Sequence, residues 1–306
     1  MKIKHVITCG CSYSDPSSGH NWTNVLENKL RDSQVEFNHV GMGSQGNELI
    51  QKKSSLALID ALEKYNPDEI LMIVMWSGTE RKTFYVDNKD FIDDVSKNWS
   101  KDIESIWWGT QFADLKSKVD RSNFVNNPRT NLPTFYNKNS GWYICNYLFP
   151  DSTFIKEYFN LSSTIISQAT ITLENIVMLQ NLCELKGVKF LQSFYGSYVY
   201  EDIIKNKDHL NLNYLYKQLN YDTIISTVGL YEHLRPLRED NTQSFLQNIF
   251  KQLFYDNGTN KYFLDDNWHP NSLGSTKWVE EILVPVLKNK GILDEDKIDQ
   301  RSTSRI

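Results

Sequence analysis
The chain lacks any run of about 18 apolar residues, so no membrane-spanning helix is expected. It also lacks an excess of positive charge. Lys and Arg number 33 against 38 Asp and Glu, for a net charge of −5, so the electrostatic footprint of a nucleic-acid binder is missing. Short basic pieces such as Gln51-Lys52-Lys53 read as solvated helix faces. Cysteine is scarce: Cys9, Cys11, Cys145 and Cys183 fit no zinc spacing and read as small buried apolar residues. The start, Met1 to Thr8, is too short and too polar for a secretory segment. With so few cysteines, this leads to the expectation of a reducing, cytoplasmic setting. No internal repeat is present, and no metal or organic cofactor is implied. What the chain has in quantity is aromatic residues, 13% in all, with 8 Trp and 16 Tyr. Many lie between Phe84 and Phe159 and between Phe194 and Phe263, two candidate substrate-facing regions.

The hydrophobic pattern predicts an α/β fold. Residues 3–9 form an apolar run without alternation, as suits a central parallel strand buried on both faces. Trp22, Val25, Leu26 and Leu30 follow at helical spacing. A short strand over Val35–Val40 leads into the glycine-rich turn Gly41–Asn47. A helix is then expected with Leu49, Ile50, Leu58, Ile59 and Leu62 on its apolar face, ended by Asn66-Pro67. Glu69–Trp76 is a third strand, so the order is β-α-β-α-β and the sheet parallel. A long helical stretch is expected over Asp151–Lys186, as one helix or two in tandem, stopped by Gly187, with a fourth strand at Val188–Ser193. The last helix carries Val279, Ile282, Leu283 and Val286, and Pro285 should end or kink it. The whole reads as a single domain over 1–290, with irregular insertions at about 84–150 and 195–262. A charged tail over 295–306 has the composition of a disordered segment.

Four stretches carry chemistry, each at the expected carboxyl end of a strand or beyond the last, where open α/β sheets bind ligands. Gly10-Cys11-Ser12-Tyr13-Ser14 offers either a small turn serine or a nucleophile. Gly41–Asn47 offers either a tight turn or backbone N–H donors for a developing oxyanion. Trp76-Ser77-Gly78-Thr79-Glu80-Arg81 offers hydroxyls and a cation, or a loop with a salt bridge. Asp266-Asn267-Trp268-His269-Pro270 offers a carboxylate within reach of an imidazole, since residues three apart in a turn face each other. The bland alternative is a capping Asp beside a surface His. Serine, histidine and aspartate together suit acyl transfer: the serine attacks, the histidine takes its proton, and the aspartate orients the ring.

On these residues the chain resembles the SGNH (GDSL-like) hydrolases. Gly10-Cys11-Ser12 looks like the family's Gly-Asp-Ser block, with Cys11 where aspartate is usual. Asn38 and Gly43 are similar to its glycine block, and Asp266-x-x-His269 matches its last block. The family's Gly-x-Asn-Asp block departs here, where the chain reads Trp76 to Arg81 and the asparagine donor is missing.

The resemblance implies a three-layer α/β/α fold of SGNH or flavodoxin-like type around a mostly parallel sheet. It assigns Ser12 as nucleophile, His269 as base, Asp266 as orienter and Gly43 as backbone donor. Either Ser77, Thr79 or Arg81 substitutes for the missing asparagine at the oxyanion or substrate, or that donor is absent. The expected activity is a serine esterase acting on a small-molecule or glycan ester through an acyl-serine intermediate. A non-catalytic glycan- or peptide-binding module and an acyltransferase to a sugar hydroxyl are the alternatives.

Overall fold
The computed structural model describes residues 2–16, 19–43, 45–86, 141–146, 157–158, 164–234 and 269–293. A parallel sheet lies at the centre, with strand order β2-β1-β3-β6. These strands are β1 (His5–Gly10), β2 (Glu36–His39), β3 (Ile70–Trp76) and β6 (Lys189–Phe194). All three pairings are parallel, with His5 opposite Glu36 and Ile70, and Leu71 opposite Lys189. β1 and β3 are buried along their whole length, which is why their sequences run apolar without alternation. Each fully buried Ile, Leu or Val contributes about 1.5–3 kcal/mol relative to exposure. Ile225 donates its N–H to the Gln192 carbonyl (2.8 Å), extending the sheet by a bridge beyond β6.

The connections reverse direction at β1. The chain passes from β1 to β2 on one side, then crosses back to β3 on the other. The crevice between the carboxyl ends of β1 and β3 is therefore the topological switch point, where such sheets bind ligands.

Helices α1 (Trp22–Lys29) and α2 (Asn47–Leu62) make those first two connections. α3 (Ile165–Lys186) packs on α2 and leads into β6. Thr164 and Ser167 form a capping box at its start, and Gly187, at φ 71°, closes its end in the left-handed region. After β6 come α4 (Ser197–Lys205), α5 (Leu210–Tyr216) and α6 (Leu230–Leu234). α7 (Ser272–Trp278) packs on α1, with the Trp22 and Trp278 rings edge to face at 5.7 Å and Lys29 paired to Glu280 at 2.7 Å.

Several expectations need correction. The region after Arg81 is not wholly irregular: β4 (Arg81–Val86) and β5 (Gly141–Asn146) pair antiparallel. Of the helical stretch expected over Asp151–Lys186, α3 begins at Ile165 behind the Thr164 cap, and residues 151–156 and 159–163 lie outside the described residues. Pro285 does not end the last helix. The backbone stays helical from Ser272 to Asn289, and a wider π-turn (Val279–Leu283) just before the proline joins α7 to α8 (Val284–Asn289). Lys53, expected in solvent, is fully buried, whereas Ile59, expected on the apolar face, is half exposed. Among the described residues no helix is long and apolar enough to cross a membrane. The tail over 295–306 lies outside the described residues.

Candidate active site
The turn after β1 is shaped by close packing. A Cβ on Gly10 would stand 2.6 Å from the Met75 carbonyl oxygen and 2.3 Å from Ser14 Oγ, so only glycine fits. Gly41 meets the same limit from the other side, where a Cβ would lie 2.3 Å from the Ser14 carbonyl oxygen. Ser12–Ser14 then forms one 3-10 turn, closed by the Ser14 N–H on the Cys11 carbonyl (2.8 Å). The Asn21 side-chain amide clamps this turn by donating to the carbonyls of Ser12 (2.7 Å) and Asp15 (2.8 Å). The Trp22 indole N–H donates to Ser14 Oγ (2.9 Å). The Ser14 hydroxyl is thus engaged in structure. Ser12, as the first residue of the turn, keeps an N–H with no acceptor inside it.

The Ser12 hydroxyl meets the imidazole. His269 Nε2 and Ser12 Oγ are 2.9 Å apart, across 257 positions of sequence. With its proton on Nδ1, the ring accepts the serine proton at Nε2. α1 explains how the chain ends meet. Asn21, the residue capping it, and Trp22, its first residue, hold the Ser12 turn, and its body packs on α7. His269 lies just before α7, whose N-cap Asn271 accepts from the Gly274 N–H (2.9 Å). The His269 ring stands 5.2 Å from Tyr13, and Tyr13 stands 5.1 Å from Tyr195, so aromatic faces flank the pair. Asp266, the expected orienter, lies outside the described residues.

The second loop is tied to the first. Met42 N–H (3.1 Å) and the Gln45 amide (2.6 Å) both donate to the Gly10 carbonyl. Gly43, the expected backbone donor, gives its N–H to Asp15 Oδ2 at 3.0 Å. Below the loops the Lys53 amine is sealed from water, with no hydrogen-bond partner at Nζ among the described residues. Burial lowers its pKa from the usual lysine value, against smaller opposing effects of Cys9 and Asp15. Cys9, Cys11 and Cys183 are free thiols and buried, as expected of small core residues. Burial raises the Cys9 thiol pKa, so it is no reactive thiolate.

The third loop places its residues differently. Ser77 gives its N–H to Asn47 Oδ1 (2.8 Å), and its carbonyl accepts from Asn47 Nδ2 (3.1 Å). Its backbone is therefore committed to α2, and its hydroxyl is fully buried. Thr79 is buried too. Arg81 is buried with its guanidinium 5.2 Å from the centre of the Tyr195 ring and 3.9 Å from Glu80. Burial opposes its charge, but Cys11, Tyr195, Glu80 and Tyr198 outweigh that and raise its pKa. A hydroxyl chain continues from there. Tyr195 meets Tyr198, and the Tyr198 hydroxyl donates to Glu80 Oε2 (2.9 Å). Burial first, then the Glu80 charge, pushes both phenols well above the usual tyrosine value.

The site therefore unites Ser12 and His269 and brings Gly43 beside their turn through Asp15. Arg81 sits behind Tyr195. Asp15, Asn21, Gln45, Asn47 and the Glu80–Tyr198–Tyr195 chain escape the sequence reading. Only Asp15 had a signal, its place three residues after Ser12. Among the described residues no group of three or more His, Cys, Asp or Glu is placed to hold a metal ion. Compared with known proteins, the chain matches no family model, no curated protein and no solved structure.

Proposed function
We propose that the chain is a serine esterase of the SGNH type, acting on a small acyl ester. One observation carries the reading: a serine at the sheet's switch point lies 2.9 Å from the Nε2 of a histidine at the far end of the sequence. Ser12 Oγ attacks the ester carbonyl while its proton passes to His269 Nε2. The tetrahedral oxyanion collapses, the alcohol leaves with the proton from His269, and Ser12 remains acylated. Water attacks next, giving its proton to His269, and the acid departs as Ser12 regains its hydrogen. Gly43 and Ser12 N–H groups are the candidate donors to the oxyanion, and Asp266 the candidate orienter. Arg81, close to Cys11 and Tyr195, would hold substrate groups beside them.

The three-layer arrangement belongs to the same proposal. The crossovers from β1 to β2 and from β2 to β3 run in opposite directions, and right-handed connections then put α1 and α2 on opposite faces. Residues 84–150 and 195–262 would be insertions on that scaffold. A second reading, a binding module without catalysis, draws support from the third loop. The family's asparagine is missing there, and the Ser77 backbone is already bonded to Asn47.

A fluorophosphonate probe separates the two. In labelling, Ser12 Oγ displaces fluoride from phosphorus and His269 takes the proton. The esterase reading expects labelling of the wild type, none in Ser12→Ala, and strong slowing in His269→Ala. A folded wild type that stays unlabelled overturns it and leaves the binding module.

A further inference from the structure
Tyr13 directly follows the nucleophile, and the same turn sets its ring. The Asn21 amide holds that turn at both ends, on the carbonyls of Ser12 (2.7 Å) and Asp15 (2.8 Å). The Tyr13 ring centre lies 5.2 Å from that of His269, with the two planes 42° apart. Tyr195 stands 5.1 Å from Tyr13, and the Arg81 guanidinium lies 5.2 Å from the centre of that second ring. Two phenol rings thus link, one after the other, the imidazole of the site to a buried guanidinium. Tyr13 is 2% exposed and Tyr195 6%, so neither ring is a platform for a sugar or another flat ligand. What Tyr13 does for the reaction, it does through His269.

An apolar side chain of any shape would fill the core there. An aromatic ring adds an electron-rich face, which attracts a cation within about 6 Å of its centre. His269 is such a cation only in passing. It becomes an imidazolium as it takes the serine proton, and is neutral again once the leaving alcohol has that proton; the cycle repeats with water. The ring therefore attracts the proton-bearing state near the transition state more strongly than the resting enzyme, which is the condition for lowering a barrier. His269 is only partly exposed, so water screens this attraction less than at an open surface.

Resting on the esterase reading, we propose that Tyr13 is a positioning residue whose ring face stabilises the His269 imidazolium. Asp266, the candidate orienter, would act on the same imidazole through Nδ1. Tyr13 acts through its ring and takes no proton.

Ring fluorination tests this, because it drains the aromatic face of negative charge while leaving shape and apolarity nearly unchanged. Tyr13→Phe is the reference, and phenylalanines with one, two and three ring fluorines replace Tyr13 in the full chain. If the hydroxyl proves necessary for folding, ring-fluorinated tyrosines give the same comparison. The readout is the rate of fluorophosphonate labelling at Ser12, a step that forms the imidazolium and requires no natural ester. The rate should fall with each added fluorine, by roughly tenfold over the series, within the roughly two- to thirtyfold range of one such contact. Thermal midpoints should stay level, since burial is unchanged. A flat series overturns the proposal and leaves the ring as core filling. A rising series overturns it too, because an imidazolium against the ring's positive edge gains from fluorine. In both cases labelling persists and the esterase reading stands. A folded wild type that stays unlabelled overturns that reading and this proposal together.

Discussion
Two loops leave neighbouring strand ends, and they treat their polar groups in opposite ways. The loop after β1 clamps its backbone through Asn21 and Trp22, and leaves the Ser12 hydroxyl facing His269 at 2.9 Å. The loop after β3 turns its groups inward: the Ser77 backbone to Asn47, and Glu80 to Tyr198. Both occupy the place where α/β sheets bind ligands. Position at a carboxyl end is therefore not enough to mark a reacting group. What separates the two is that the Ser12 side chain faces a base that can take its proton, whereas the Ser77 backbone is fixed by an amide.

The largest expected effect tests the first loop. Ser12→Ala and His269→Ala should each lower ester kcat/KM by roughly 10⁴–10⁶-fold, the range seen when one member of such a unit is removed. The double variant should be little worse than either single one, because the two act as a unit. Thermal stability should change only slightly, since neither side chain belongs to the apolar core. Additive losses in the double variant would break the comparison by showing that the pair does not work together.

The second effect tests the third loop. Asn47→Ala orphans a buried N–H and a buried carbonyl at Ser77, at about 1–3 kcal/mol each. A stability loss of roughly 2–5 kcal/mol in urea unfolding is expected. Ester turnover by the folded fraction should fall far less than in Ser12→Ala. If turnover fell by the same factor, the β3 loop would be part of the reacting machinery and the contrast would fail.

Much of the scaffold was legible from the sequence, because two-sided burial writes itself as unbroken apolar runs. Ile70 to Met75 is such a run, and Ile3 to Cys9 is a shorter one interrupted by Lys4, His5 and Thr8; both became central parallel strands. The pairing of Ser12 with His269 was legible for a different reason: a serine past the first strand and an Asp-x-x-His stretch near the other end together suit proton transfer, and α1 is what brings them together. What could not be read depends on loop conformation. Nothing in the spacing of Asp15 and Gly43, or of Asn47 and Ser77, says that the pairs meet, because each contact joins two loops or a loop and a helix start whose paths the strands do not determine. Lys53 is different, since its signal was present and the charge masked it. It stands four residues after Leu49 and four before Ala57, on the buried face of α2, while Ile59 falls on the other.

That lysine gives the smallest effect and the sharpest sign. A buried amine with no hydrogen-bond partner among the described residues destabilises the fold, so Lys53→Met, close in volume, should stabilise it by roughly 1–3 kcal/mol at pH 7. Burial holds the folded pKa below 10.5, so between the two values the unfolded chain binds more protons than the folded one. Wild-type stability contributed by this group therefore rises with pH through that window, and the advantage of Lys53→Met should shrink as pH approaches 10.5. Tyr195 and Tyr198, whose pKa values are raised, pull overall stability down in strong alkali, but they are common to both proteins and cancel in the difference. Parallel urea titrations of the two proteins from neutral to alkaline pH measure it. If Lys53→Met were instead the less stable at pH 7, the ammonium would be balancing charge beneath the loops, with Asp15 a candidate, and Lys53 would join the engaged groups of the first loop.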